Sequence, residues 1–445
     1  MFLRRRRIAV LLLGDVFLFY VALAATIGVS FPPEEVLGVF MEHVVPFSYL
    51  FVLWVIVFFI AGLYDKETLF FRRKLPAVLF NTQLVNSVLA AVFFYLLPIF
   101  KIAPKTNLFI YLVISFLLML AWRLYGVLFF SGGKKQKALI AGAGSDFEEL
   151  VQEIKNNARY NIEIERIVDL ADTAHAPSPA SLEKEVPTKG ISVVILDMNN
   201  AKTEILLPRL YNMLFSGIRF FDFHTVYEEV FNRVPLSLLY YRWFLRNVSP
   251  AAHGMYDYLK RLMDVVLSVL LGLLSLPLYP LIALAIFLED GAPIFITQKR
   301  IGRHMASVHL YKFRSMERSE DGVWVGETEN KITRVGAFLR KTRLDELPQF
   351  WNILRGDLSF VGPRPDISGL GEKLLKEIPY YNIRYTVKPG LSGWAQINQD
   401  IVPQSVKESK ERLAYDLYYI KNRSFVLDIY IALKTVKTLV SRTGR

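Results

Sequence analysis

Four long apolar stretches open the chain, at about Ile8–Ser30, Val44–Tyr64, Leu75–Leu97 and Leu108–Phe130. Each is near the ~20 residues that cross a bilayer as a helix. Arg4, Arg5, Arg6 and Arg7 precede the first. Lys66, Arg72, Arg73 and Lys74 lie between the second and third, and Lys134, Lys135 and Lys137 follow the fourth. The loop after the first stretch carries Glu34, Glu35 and Glu42 without Lys or Arg; only Lys101 and Lys105 run against the trend. The positive-inside bias therefore puts both ends of this unit in the cytoplasm. Asp15 and Arg123 fall inside apolar stretches near their cytoplasmic ends. Their side chains are expected to snorkel to water, and no transport-like pairing of intramembrane charges is read here.

From Lys137 the period changes. KALIAGAGS is a short apolar run ending in a Gly-rich turn, followed by an amphipathic run over Asp146–Asn157. Strand-like Ile162–Asp169, a loop around Ala176–Ser181, strand-like Ile191–Asp197, a helix-like run from Lys202 and strand-like Ile218–Phe223 come next. Strands alternating with helices predict a small parallel α/β domain. Gly142 and Gly144 begin a dinucleotide fingerprint, but Phe147 stands where the third glycine belongs, and Asp169 lies near the place of a ribose-binding acid. The expectation is a structural or dimerising Rossmann-like domain with a degenerate turn, nucleotide binding being the alternative. His224 and the aromatic, basic stretch Val226–Pro250 form a connector without chemistry that the sequence names.

Lys260-Arg261 introduces another apolar stretch, Leu262–Leu288, which ends at Glu289-Asp290. Its length would allow a fifth span. Pro277 and Pro280 interrupt it, each removing a helix hydrogen bond. A full span would also carry the Lys- and Arg-rich residues 291–445 to the outer face, against the charge bias. A helix–break–helix that enters and leaves on one side satisfies both, with Ser275 a candidate partner for carbonyls freed at the break.

Composition sharpens this division. Of 445 residues 53% are hydrophobic, and mean hydropathy is +0.31. That is too apolar for an ordinary soluble protein and too mixed for one embedded throughout. The net charge of +12 suits anionic lipid, phosphorylated substrates or nucleic acid, and the apolar content favours the first two. With no cysteine, disulfides, thiol catalysis and Cys-based zinc sites are excluded. The first apolar stretch reads as an anchor, not a removable signal.

Candidate chemistry is concentrated in Thr333–Pro365, TRVGAFLRKTRLDELPQFWNILRGDLSFVGPRP. Asp345-Glu346 follow Arg340, Lys341 and Arg343, and Pro348 comes three residues after Asp345. Paired carboxylates among cations near a helix start suggest work on a phosphate, with free N–H groups and the helix dipole assisting. Lys312, Arg314, Arg343, Arg364 beside Pro365, and Lys388 are candidate substrate ligands. His304 and His309 lack a partner at metal-site spacing. The tail from Lys410 mixes aromatic, aliphatic and basic residues and suits either a membrane interface or a cover for the core.

Five strings carry a family resemblance: Lys260-Arg261 before a Pro-broken apolar stretch, KFRSM, RLDELPQFWNIL, GDLSFVGPRP and KPGLSGWAQIN. In these the chain resembles the bacterial sugar transferases, the monotopic polyprenol-phosphate phosphoglycosyl transferases, strongly over residues 255–445. The four preceding stretches and the α/β segment resemble the family's long form. One departure is Leu276-Pro277, where some members carry Ser-Pro.

The resemblance implies transfer of a sugar 1-phosphate, glucose or galactose, from a UDP-sugar to undecaprenyl phosphate with release of UMP, the first membrane step of exopolysaccharide, O-antigen or capsule assembly. It implies Asp345 as nucleophile forming an acyl-phosphate, and Mg²⁺ held by Asp345 and Glu346. The expected class is a mixed membrane protein: a four-helix transmembrane bundle at 1–132, a Rossmann-like domain at 133–225, a connector at 226–254 and a mainly α catalytic domain at 255–445. A re-entrant helix at 258–290 would break at Ser275 and Pro277, with Lys260 and Arg261 at the membrane interface. Expected partners are the UDP-sugar, undecaprenyl phosphate and membrane lipids, with no nucleic acid; a homodimer is left open. The expected location is the bacterial inner membrane, soluble parts cytoplasmic. Rival readings are a membrane-anchored nucleotide-sugar dehydratase or epimerase and a non-catalytic export scaffold. The first should show a complete GxGxxG and a Tyr-x-x-x-Lys pair, neither of which Met255–Arg445 supplies in a Rossmann context.

Overall fold

A computed structural model describes residues 2–64, 75–96, 106–126, 136–157, 160, 162–171, 185–198, 203, 208, 210, 211, 213–236, 241–248, 254–316, 332–399 and 403–441. The expected flanking cations Lys66, Arg72, Arg73, Lys74, Lys101, Lys105, Lys134 and Lys135, the loop at 176–181 and Lys202 lie outside them. The chain divides into two compact units, Met1–Lys134 and Lys135–Arg445.

The first unit holds helices α1 (Phe2–Ser30), α2 (Val36–Ile60), α3 (Leu75–Leu96) and α4 (Thr106–Ala121), the last continued by a π turn over Trp122–Gly126. All four supply a stretch long and apolar enough to cross a membrane. Phe19, Phe51, Trp54 and Phe58 pack ring against ring at the centre. Asp15 and Arg123 do not snorkel. Both are buried, and Arg123 Nη2 pairs with Asp15 Oδ2. Tyr64 OH donates to the same Asp15 oxygen at 2.9 Å, and Arg123 Nη1 donates to the Leu63 carbonyl at 2.7 Å. The absence of paired intramembrane charge expected from the sequence is thus corrected. Residues 108 positions apart meet because helix packing, which local pattern does not encode, turns them toward each other.

The second unit begins with a four-stranded parallel sheet, β1 (Gln136–Gly142), β2 (Ile162–Asp169), β3 (Val193–Leu196) and β4 (Arg219–Asp222), in the order β2-β1-β3-β4. Apolar side chains fill both faces, as a parallel sheet requires. Helix α5 (Ser145–Asn156) covers one face through Phe147, Leu150, Val151 and Ile154. The Phe147 ring occupies the space that a Cβ at Gly142 would need, 2.5 Å away. Asp146 and Glu148 fill the first turn of α5, and Asp169, Asp197 and Asp222 end or follow their strands. This acidic edge opposes a phosphate. Helix α6 (Phe223–Phe231) follows, and the connector beyond it is a joint: Arg233 bridges Glu149 at 2.6 Å and Glu411 at 2.5 Å. Lys421 meets Glu228 at 2.7 Å, and the indole of Trp394 donates to the Asn232 carbonyl at 2.7 Å.

Helix α7 (Tyr241–Asn247) leads to α8 (Gly254–Ser275) and α9 (Leu278–Asp290), which bend by 59° at their break. Pro277 stands at the bend, while Pro280 sits in the first turn of α9, where proline is tolerated. Ser275 Oγ donates to the Gly272 carbonyl at 2.8 Å. α8 is inverted relative to a soluble helix: it buries Asp264, Ser268 and Ser275 and exposes Leu262, Val266, Val269, Leu270 and Leu273. Then come a hairpin of β5 (Phe295–Ile301) and β6 (Ser307–Phe313), α10 (Arg334–Thr342), α11 (Gln349–Arg355), β7 (Ser359–Val361), α12 (Ser368–Glu377), β8 (Gly390–Ser392), α13 (Trp394–Asn398), α14 (Val406–Asn422) and α15 (Phe425–Ser441). Leu413, Leu417, Tyr419, Ile420 and Ile431 of the last two helices enter the core, so the tail covers it.

Removing one partner of a buried ion pair leaves an uncompensated charge, at a cost of about 3–5 kcal/mol. Asp15→Ala is expected to lose about that much stability in detergent unfolding. An Asp15→Leu, Arg123→Met double replacement should recover most of the loss. A loss no larger than that of an exposed site would show that the pair does not hold the bundle.

Candidate active site

Asp345 and Glu346 stand on a single 3₁₀ turn, Leu344–Glu346, between α10 and α11. Arg343 ends α10 in the left-handed region, φ 58°, and its N–H reaches back to the Leu339 and Arg340 carbonyls. That reversal is usually left to glycine, because a Cβ costs about 1–2 kcal/mol there. Flanking Leu344 and Leu347 pack with Ile282 and Ile286 of α9, Phe313 and Leu339. Glu289, at the end of α9, accepts the Arg334 and Val335 N–H groups at 2.7 and 2.8 Å and so caps α10. The turn carrying the carboxylates is therefore fixed to the second arm of the bent helix pair.

Both carboxylates are buried, Asp345 6% and Glu346 8% exposed. Their surroundings differ. Glu346 Oε1 receives Lys312 Nζ at 3.3 Å and Arg364 Nη2 at 3.1 Å, with Arg343 Nη1 at 3.7 Å. Burial would raise the Glu346 carboxyl, but Lys312, Arg364 and Arg343 together outweigh it and hold the group far below the usual carboxylate range. Asp345 goes the other way: burial raises it, the Glu346 charge adds to that, and Lys312 and Arg343 offset only part. Asp345 Oδ1 is buried with no hydrogen-bond partner among the described residues. Two adjacent acids are thus pushed apart, one a fixed anion and one a basic carboxylate with an idle oxygen. Lys312 is itself pushed down by burial, against the pull of Glu346.

Three cations reach Glu346 from separate elements. Lys312 comes from β6, Arg343 from the end of α10, and Arg364 from the loop after β7. That loop is set by two sequence strings meeting: β7 pairs with β8 in parallel, Ser359 with Gly390 and Val361 with Ser392. Gly362 N–H donates to the Ser392 carbonyl at 2.8 Å, and Gly390 N–H to the Pro363 carbonyl at 2.9 Å. A Cβ on Gly390 would lie 2.1 Å from Gly362 N, so the backbones approach only because both are glycine. Beyond Arg364, the Pro365 carbonyl accepts from Arg300 at 3.5 Å. Asp366 is buried with Arg384, Tyr381 and Tyr385, and Arg384 Nη2 donates to the Arg364 carbonyl at 2.9 Å while Nε meets Asp416 at 3.0 Å.

Several expected ligands are elsewhere. Arg314 donates to the Asp290 and Gly291 carbonyls at 2.7 and 2.8 Å and pairs with Asp290 at 2.9 Å, so it ties down the end of α9 and is not a phosphate ligand in this geometry. Lys388 lines a separate cavity with Lys260 and Arg261. Those two, expected at a membrane interface, turn their side chains toward the protein: Lys260 binds buried Asp428 at 2.8 Å, and Arg261 caps α11 through the Ile353 and Leu354 carbonyls at 2.7 Å each. α11, which follows the pair, has seven residues, and the described charge partners of Glu346 are the three cations. Asp264, Asp366, Arg384 and Asp428 were missed. Asp264 accepts from Ser359 Oγ and Phe360 N–H, both at 3.0 Å, and joins α8 to β7. Asp264 and Asp428 had one sequence signal, a charge inside an otherwise apolar helical run; Asp366, in a loop, and Arg384, in a short polar 3₁₀ stretch, had none.

No group of three or more His, Asp or Glu suited to a metal occurs among the described residues. The idle Asp345 oxygen is a hard donor that fits Mg²⁺, an ion commonly held by one or two carboxylates plus substrate phosphates.

The family model described as bacterial sugar transferase matches residues 255–442. An Aeromonas hydrophila UDP-N-acetylgalactosamine-undecaprenyl-phosphate N-acetylgalactosaminephosphotransferase is 38% identical over 192 residues, 42% of this chain and 45% of that protein. The UDP-glucose:undecaprenyl-phosphate glucose-1-phosphate transferase of Escherichia coli is 40% identical over 217 residues, 48% of this chain and 45% of that protein. A Caulobacter vibrioides protein of the same description is 39% identical over 201 residues, 44% of this chain and 75% of that protein. The chain thus matches a little under half the length of the first two.

Arg384→Gln leaves Asp366 and Asp416 buried without their cation, and unfolding in denaturant should show a loss of about 3–5 kcal/mol. Arg384→Lys should restore only part, because an ammonium cannot serve both acids and the Arg364 carbonyl as a guanidinium fork does.

Proposed function

The chain belongs to the bacterial sugar transferase family, and on that premise we propose that it transfers a sugar 1-phosphate from a UDP-sugar to undecaprenyl phosphate, releasing UMP. One observation carries the reading: a buried Asp345 oxygen is idle beside a Glu346 already engaged by Lys312, Arg343 and Arg364. An Asp345 oxygen attacks the sugar-bearing phosphorus. An O–P bond forms to Asp345 as the bridging P–O bond breaks, and UMP departs with that electron pair. A phosphate oxygen of undecaprenyl phosphate then attacks the same phosphorus and frees Asp345. Splitting one displacement into two is the gain from covalent catalysis. A raised carboxyl is the better nucleophile once ionised, whereas Glu346, neutralised by three cations, is poorly suited to attack. Arg364, half-exposed beside Pro365, and Arg343 are the cations from which a diphosphate can draw hydrogen bonds. Mg²⁺, held by Asp345 and Glu346 with substrate phosphates, would neutralise diphosphate oxygens that otherwise repel the nucleophile. The names of the relatives support glucose as the first sugar to test.

The protein acts at the inner membrane of a bacterium, with its soluble parts cytoplasmic, at the first membrane step of exopolysaccharide, O-antigen or capsule assembly. Four apolar helices anchor it. The bent pair α8–α9 is re-entrant: the outward apolar face of α8 suits lipid, and both arms of the pair are tied to one catalytic body, through Lys260 and Asp264 in the first half of α8 and Glu289 at the end of α9. The parallel sheet between these parts is a Rossmann-like domain with a structural role, its joint at Arg233 being one such contact. Membrane lipids are partners, nucleic acid is not, and a homodimer is the assembly to look for.

Purified protein with UDP-glucose, Mg²⁺ and undecaprenyl phosphate is expected to release UMP, and Asp345→Asn to lower the rate on the order of 10³-fold or more. Full turnover in that variant would remove Asp345 as nucleophile. Since Asp345 must ionise and is raised, kcat/KM should fall on acidification above the ordinary aspartate range near ~3.9. In Glu346→Gln the acid limb should move down, because the repelling charge is gone. Cysteines placed singly at exposed Glu372 and Lys407 should resist an impermeant label in intact cells; labelling of either from outside would make α8–α9 a true span.

A further inference from the structure

A second concentration of positive charge lies apart from the residues that touch Glu346. Lys260, Arg261, Arg303, Lys388 and Arg423 line a cavity of about 150 Å³ beside the start of α8, against Asp257 and Asp264 as its acids. Three of these seven charges are committed elsewhere: Lys260 to Asp428, Arg261 to the end of α11, and Asp264 to Ser359 and Phe360. Arg303 spends one N–H on the Thr386 carbonyl at 3.3 Å. The other two cations are underused. Arg423 approaches Asp257 only at 4.0 Å, and its buried Nε has no acceptor among the described residues. Lys388 Nζ has no hydrogen-bond or ion-pair partner there either. Burial pushes the Lys388 ammonium down, and neighbouring Arg261 pushes the same way. Like charges gathered round a cavity with spare donors are stabilised by an anion, which supplies the missing acceptors.

The cavity, about 150 Å³, has room for a phosphate group and is smaller than the ~300–1,000 Å³ pockets that take drug-sized ligands. We propose that this cavity is an anion site separate from the Asp345 centre, taking a phosphate group on Lys388, Arg423 and Arg303. The same group could come from a membrane-lipid headgroup or from free phosphate. The exposed apolar face of α8 starts beside the cavity, at Leu262 and Val266, which favours the lipid.

The test reads the reactivity of Lys388. The full chain, in maltoside micelles free of phosphate, is exposed to an amine-acylating reagent at neutral pH, and labelling of Lys388 and of exposed Lys376 is followed by peptide mass spectrometry. One arm adds inorganic phosphate alone, another dioleoylphosphatidic acid in the micelles. Lys388 labelling should slow several-fold in at least one arm while Lys376 does not change. Protection by inorganic phosphate assigns a free phosphate, and protection by the lipid alone assigns a headgroup. Arg423→Gln should abolish the protection and Arg423→Lys keep it. If neither arm slows Lys388, or if protection survives Arg423→Gln, the site does not exist as described.

Discussion

A carboxylate taken out of water needs compensating charge, and here the requirement falls on Glu346. Three cations answer it, from a strand, a helix end and a proline-bounded loop. Almost every other feature of the catalytic unit serves to bring those three together. The β5–β6 hairpin delivers Lys312, the left-handed Arg343 reverses the chain after α10, and the glycine-to-glycine contact of β7 with β8 aims Arg364. Behind that loop, Arg384 binds two buried acids and the Arg364 carbonyl at once. With the positive charge spent on Glu346, its neighbour Asp345 keeps a raised carboxyl and an idle oxygen. Two adjacent buried carboxyls are thus driven in opposite directions by the cations that reach one of them.

The apolar pair α8–α9 obeys a complementary constraint. A helix with leucines outside and Asp264, Ser268 and Ser275 inside cannot be stable in water alone, because its unpartnered face is the apolar one. Its buried polar groups bind it to the catalytic core: Asp264 to β7, with Lys260 and Arg261 nearby holding α15 and the end of α11. At the far end Glu289 caps α10 and Arg314 secures the Asp290 and Gly291 carbonyls. The helix that would carry the protein into lipid is thus also the scaffold for the turn bearing Asp345. Displacement of one would be felt by the other.

Charge pairing also organises the parts outside the site. Arg233 joins the parallel-sheet region to α14 through Glu149 and Glu411, and in the first unit Asp15 and Arg123 form a buried ion pair within a mainly apolar bundle. Each pair spans a long stretch of sequence, and the Asp15–Arg123 pair is fully buried, so that one unpaired member there would be costly.

What the sequence by itself determined is what depends on local pattern. Stretches of ~20 apolar residues announced the four long helices, alternation announced the parallel sheet, and Pro277 marked the break. Asp345-Glu346 with RLDELPQFWNIL, GPRP and KPGLSGWAQIN pointed to the catalytic unit, since adjacent residues and short strings are legible without a fold. Tertiary structure alone decided the partners of each charge. Of the cations expected to bind substrate, Lys312, Arg343 and Arg364 meet at Glu346, Arg314 ties down the end of α9 and Lys388 lines another cavity. Asp264, Asp366, Arg384 and Asp428 gave no signal strong enough to be read. The reason is physical: a charged side chain has the same chemistry wherever it stands, and only the desolvation and neighbours supplied by folding decide whether it binds a ligand, caps a helix or closes a core.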